Sequence, residues 1–168
     1  MGRMKTWTRF SAAAVAAALC IVCVRADDNP LRQQVLRLND VTGDDAIKSK
    51  IIELIKDKPV AKKMIAEALE MSKDKEKESP FNYNGAYILA RTSQFTKDFD
   101  SSMAFYKVCV DQAVRLRSGQ KLVQVYDGLI GLFIDNKKFD DAVGCQQFLE
   151  LQAATRTLRR SSHSSWKR

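Results

Sequence analysis

The chain contains one histidine, His163, and it stands close to the C-terminal end. A histidine-based catalytic triad and a multi-histidine metal site are thereby excluded from the body of the protein. No glycine-rich stretch has the spacing of a phosphate-binding loop. Cysteine is almost as scarce: of four, Cys20 and Cys23 lie in an apolar N-terminal run, which leaves Cys109 and Cys145 for the remainder. Two cysteines do not make a disulfide-dense scaffold, so the fold has to rest on a packed apolar core. Both are read as small buried hydrophobes, with a single bridge as the alternative. The N-terminal apolar run, Ser11 to Val24, is 14 residues long, short of the roughly 20 that a membrane-spanning helix needs.

That run has a basic opening in Arg3, Lys5 and Arg9 and closes on Val24-Arg25-Ala26, where small residues suit signal peptidase. Residues 1–26 are therefore read as an export signal cut before Asp27, with a retained anchor as the alternative. Leu19 and Val22 precede the two cysteines, so no lipid-attachment box is present, and a Cys-x-x-Cys pair in a removed segment implies no redox chemistry. The expected location is periplasmic or extracellular.

The formal charge of +8 suggests a nucleic-acid binder until it is located along the chain. Nine of the 28 basic residues fall in the first 25 or the last 13 positions, leaving 19 against 20 acids. A body that close to neutral has no contiguous basic face, so nucleic acid is not an expected partner.

Within the body the hydrophobic period is helical and no alternation of period two occurs. Pro30 to Leu38 is a short amphipathic stretch. Thr42 is expected to cap a helix whose stripe is Ile47, Ile51, Leu54 and Ile55, and Pro59 to open another with Ala61, Met64, Ile65, Ala68 and Leu69. The charged run Ser72 to Ser79 reads as a solvated turn. Further stripes follow at Ala86/Leu89/Ala90, Met103/Tyr106/Val110, Tyr126/Leu129/Ile130/Phe133 and Val143/Phe148/Leu149. The fold class is all-α, with antiparallel helices joined by short turns.

A repeat runs through these helices. "KFDDAV" at Lys138 to Val143 echoes "DFDSSM" at Asp98 to Met103, 40 residues before. Ala61, Ser102 and Ala142 form a column at spacings of 41 and 40; Met64, Phe105 and Cys145 follow each by three, and Ala68, Cys109 and Leu149 by seven. A small residue in such a column lets two helix backbones approach, and Phe99 or Phe139 is expected to cover the turn with about 2 kcal/mol of buried apolar area. The acids Asp98, Asp100, Asp140 and Asp141 belong at helix starts, which explains them better than an acid–base pair.

On these residues the chain resembles the tetratricopeptide-repeat (TPR) family, in the manner of its exported bacterial members. Leu89, Ala90, Phe99, Ser102 and Tyr106 carry the likeness in one unit, and Tyr126, Leu129, Phe139 and Ala142 in the next. The resemblance implies hairpins at about 44–71, 81–113 and 121–151, stacked as a short solenoid over residues 27–153. The spacing departs from the family's, being near 40 rather than 34. The resemblance further implies a groove lined by the first helix of each unit, which places Asn84, Tyr87, Arg91 and Gln94 on it, with Asp127 and Gly131 beside them. The implied function is a protein–protein interaction scaffold with no catalytic activity and no cofactor, its partner another protein or peptide. Residues 154–168, rich in serine and arginine, are expected to be a disordered basic tail. The alternatives are a structural helical module or truncated fragment, and anionic-surface binding, with membrane contact only through that tail.

Overall fold

The computed structural model describes residues 29–73 and 78–165, with side chains as far as Thr155. The expected export signal with its two cysteines, the centre of the charged run, and the side chain of His163 lie outside the described residues. Among the described residues the protein is all-helical. It comprises α1 (Pro30–Leu36), a 3-10 turn (Arg37–Asp40), α2 (Asp44–Lys56), α3 (Lys58–Met71), α4 (Tyr83–Phe95), α5 (Phe99–Arg115), α6 (Gly119–Asp135) and α7 (Phe139–Ser165). No helix among them is long and apolar enough to cross a membrane.

Local chemistry sets most helix starts. Asn29, Asp57, Asn82, Asp98 and Ser118 each accept a hydrogen bond from a backbone N–H of the first turn that would otherwise lack a partner, on α1, α3, α4, α5 and α6 respectively. Helix α2 differs from expectation. Its cap is Gly43 at φ +88°, a backbone conformation that suits a residue without Cβ, and Thr42 lies one position outside.

The connections α4–α5, α5–α6 and α6–α7 share one form at 20-residue intervals. Lys97 (φ 61°), Arg117 (φ 49°) and Lys137 (φ 58°) adopt the left-handed conformation just past each helix end. The next residue's N–H then reaches back to the carbonyl of Ser93, Ala113 or Phe133, at 2.9, 3.0 and 2.8 Å. This is the Schellman closure, built here on long basic residues where glycine would be less strained.

Each of α4 to α7 lies against the next, α2 lies against both α3 and α4, and α4 touches α6. The repeat column is buried where helices meet: Ala61, Ser102, Met64, Phe105, Ala68 and Cys109 are at most 4% exposed and Ala142 7%, while Cys145 and Leu149 are half-buried. The Ser102 hydroxyl, at full burial, donates to the Ala90 carbonyl at 2.9 Å, so a polar residue sits between α4 and α5 without an unmet hydrogen bond. Leu89, Ala90, Tyr106 and Leu129 are buried with them; Tyr126, half-buried, stacks on Phe148 with centroids 4.3 Å apart. Both Cys109 and Cys145 are free thiols.

Two further expectations differ from what the structure shows. Phe99 is half-buried against Phe133 of α6, at 6.3 Å, but its counterpart Phe139 is 60% exposed. The cover for Phe99 is supplied by the helix beyond its own pair, and no described helix stands beyond α7 to do the same for Phe139. The backbone from Ala154 to Ser165, expected to be disordered, continues α7.

The N-terminal segment is tied in by polar contacts across more than 40 positions. Asn39 accepts from the Asn82 N–H at 3.0 Å and donates through Nδ2 to the Pro80 carbonyl at 3.0 Å, while Asn82 Nδ2 donates to the Asn39 carbonyl at 2.8 Å. Asn39 fills the space beside Gly85, where an added Cβ would overlap its Oδ1 and come within 3.3 Å of Cγ. This latch fixes the start of α4, on which the candidate site is built.

Candidate binding groove

Along α4, Tyr83, Tyr87, Arg91 and Phe95 recur every four residues and therefore share one face. Tyr83 and Tyr87 stack with centroids 5.9 Å apart and planes 9° apart, and the Arg91 guanidinium lies 5.2 Å from the Phe95 centroid. Helix α2 contributes Ile47, Ile51 and Ile52 opposite this face, and α6 contributes Gln124. Together they enclose a cavity of about 480 Å³ with Asp44 and Lys48 at the first turns of α2. Asp44 and Gln124 also line a second hollow of about 390 Å³ with Gln120, Val123 and Asp127, so the two form one groove across α2, α4 and α6.

Two large apolar side chains of this groove face solvent. Ile52 is 55% and Phe95 49% exposed, on walls whose backing residues Ile47 and Ile51 are buried. An open hollow with apolar walls is a recurrent feature of ligand and partner sites.

The floor is held by a polar network. The Tyr106 hydroxyl, on a fully buried ring, donates to Gln94 Oε1 at 3.0 Å; Arg91 Nη1 donates to the same oxygen at 2.9 Å, and Gln94 Nε2 donates to Asp135 at 3.1 Å. Tyr106 itself is admitted by Gly128, where a Cβ would lie 2.8 Å from the ring carbons Cε1 and Cζ and closer still to the hydroxyl. Burial raises the pKa of Tyr83, Tyr87 and Tyr106, so these phenols stay neutral at physiological pH. Among the described residues no carboxylate forms an ion pair with Arg91, which shares the larger hollow with a second cation, Lys48, paired to Asp45 at 3.9 Å.

The residues expected on a groove occupy different places. Tyr87 and Arg91 line the larger hollow and Asp127 the smaller. Asn84 is used structurally, donating to the Val41 carbonyl at 2.9 Å and accepting from Lys121 Nζ at 3.4 Å. Gln94 buttresses Arg91 and faces a separate recess with Phe95, Lys97, Asp135 and Asn136, and Gly131 lies beside it, where a Cβ would press on Gln94 Nε2 at 3.3 Å. Asp44, Ile52, Phe95 and Gln124 were not foreseen. Phe95 was signalled by its spacing of four from Arg91; Ile52 carried no signal, being the residue outside the α2 stripe.

Among the described residues no group of three or more histidine, cysteine or acidic side chains is placed to hold a metal ion. Compared with family models, curated proteins and solved structures, the chain matches none.

Proposed function

We propose that this chain is an exported TPR-like interaction scaffold: helical hairpins stacked as a short solenoid, without catalytic activity of its own, that holds a peptide segment of another protein in the groove across α2, α4 and α6. The observation that carries the reading is the pair of adjoining hollows, in the larger of which Ile52 and Phe95 stay exposed around Arg91. A scaffold with two half-exposed apolar walls and a braced floor is suited to burying part of a partner, and those walls would supply most of the gain on binding. The three identical turns at 20-residue intervals and the buried column of Ala61, Ser102 and Ala142 support the repeat reading.

The test is selection of linear peptides from a random display library on the full chain. Peptides so obtained are expected to lose about tenfold or more in affinity when Ile52 or Phe95 is replaced by Asp. They should be indifferent to Leu151→Asp, which alters an exposed apolar residue on α7 outside the groove. A selection that yields no peptide sensitive to the first two substitutions would remove the groove as the site.

A further inference from the structure

The groove is charged differently at its two ends, and that difference reads as a specification of the partner. At one end Arg91 sits half-buried among Ile51, Ile52, Tyr87 and Phe95 without a carboxylate partner among the described residues. At the other end Asp44 and Asp127 flank Gln120 and Gln124, and neither acid has a basic partner among the described ion pairs. A half-buried guanidinium beside apolar side chains and neutral phenols, bonded to the neutral Gln94 amide with Asp135 behind that amide, has no direct carboxylate contact, so it gains more from an incoming carboxylate than an exposed arginine would. Two exposed acids at the opposite end favour a cation by charge complementarity and disfavour a second acid.

We infer that the segment held in the groove is polarised: it carries a large apolar side chain next to a carboxylate, which meet the Ile52–Phe95 walls and Arg91, and a lysine or arginine further along that meets Asp44 and Asp127. This rests on the proposed groove function and narrows its partner to one class of peptide. A uniformly acidic or uniformly basic segment is unfavourable at one end or the other. The neutral amide of Gln124, which lines both hollows, lies between the ends, where an extended backbone can exchange hydrogen bonds with it.

The experiment sequences the peptides selected above and measures synthetic fluorescent copies by anisotropy against the full chain at low and at physiological salt. Enriched peptides should share an apolar–acidic pair and a downstream basic residue. Arg91→Gln should weaken such a peptide about tenfold or more, yet change the affinity of the same peptide with its acid replaced by the amide less than twofold. Asp127→Asn, on an exposed residue whose change does not threaten folding, should show the matching effect toward the basic residue. Peptides that depend on Ile52 and Phe95 but lack the charge pattern, or that ignore both charge substitutions, would overturn the polarity while leaving the groove function standing. Failure to recover any peptide dependent on Ile52 and Phe95 would overturn both.

Discussion

Replacing Gly128 by alanine tests whether the groove floor is built as described. In an exposed helix the change stabilises by about 1 kcal/mol, because alanine has the better helix propensity. At Gly128 the new methyl would come within 2.8 Å of two ring carbons of Tyr106, which is fully buried. A ring locked between α4 and α6 cannot swing aside as an exposed side chain can, so overpacking should cost roughly 1–3 kcal/mol. Displacing the ring also endangers the 3.0 Å bond from its hydroxyl to Gln94, worth a further 0.5–1.5 kcal/mol or so. Subtracting the propensity gain leaves a net loss of about 0.5–3.5 kcal/mol. Gly144 is the internal control: it lies in α7 with nothing within 4 Å of an added Cβ, and Gly144→Ala should stabilise by about 1 kcal/mol. Urea unfolding followed by far-ultraviolet circular dichroism reads both. Combining Gly128→Ala with Tyr106→Leu should cost less than the sum of the single changes, since the smaller side chain vacates the contested space. A Gly128→Ala protein as stable as the parent would refute the close approach of α4, α5 and α6 at this point.

Three further outcomes are expected. Arg117→Gly should raise stability by about 0.5–1 kcal/mol in thermal unfolding, because an exposed residue at φ 49° gives up its left-handed strain and, among the described residues, its side chain makes no hydrogen bond or ion pair that supports the turn. Thr92→Val should stabilise by about 1 kcal/mol on the same assay, since the Thr92 Oγ1 is buried without a partner and the replacement keeps the branched shape. Burial holds the Cys109 thiol protonated well above its ordinary value of 9.0, so the folded state keeps a proton that the unfolded state releases. Stability from this source is complete below pH 9 and falls by up to about 1.4 kcal/mol per pH unit above it. Unfolding free energies between pH 8 and pH 10 should therefore slope downward, and less steeply in Cys109→Ala.

Helix content was readable from the sequence because each helix carries its own evidence: a stripe of period 3.6 and, at Pro59 and Asp98, a start signal within a few residues. The column Ala61, Ser102, Ala142 was readable for a related reason, since small residues are needed where helix backbones pack closely, and all three are buried. What escaped was whatever depends on an element distant in the chain. Asn39 contacts Asn82 across 43 positions, and neither residue belongs to a periodic pattern. Phe99 and Phe139 look alike in sequence, yet their burial is decided by whether another helix stands outside them, which is a property of the neighbour. The three left-handed turns were hidden by side-chain identity, because lysine and arginine at those positions give no sign of the backbone they adopt.

The groove falls between these cases. Tyr87 and Arg91 could be placed by spacing along a single helix, but Ile52 and Asp44 join them only through the angle at which α2 meets α4, and that angle depends on the Asn39 latch and on Gly85 beside it. A residue off the stripe of its own helix has two possible fates, solvent or a neighbour's edge, and periodicity does not distinguish them. The same reasoning explains Asn84, which shares a face with Tyr87 and Arg91 but is drawn toward the Val41 carbonyl because the latched N-terminal segment ends there. The candidate site is thus set less by the residues that line it than by the contacts that fix α2, α4 and α6 relative to one another, so substitutions at Asn39 or Gly128 should alter binding in the groove without touching a ligand.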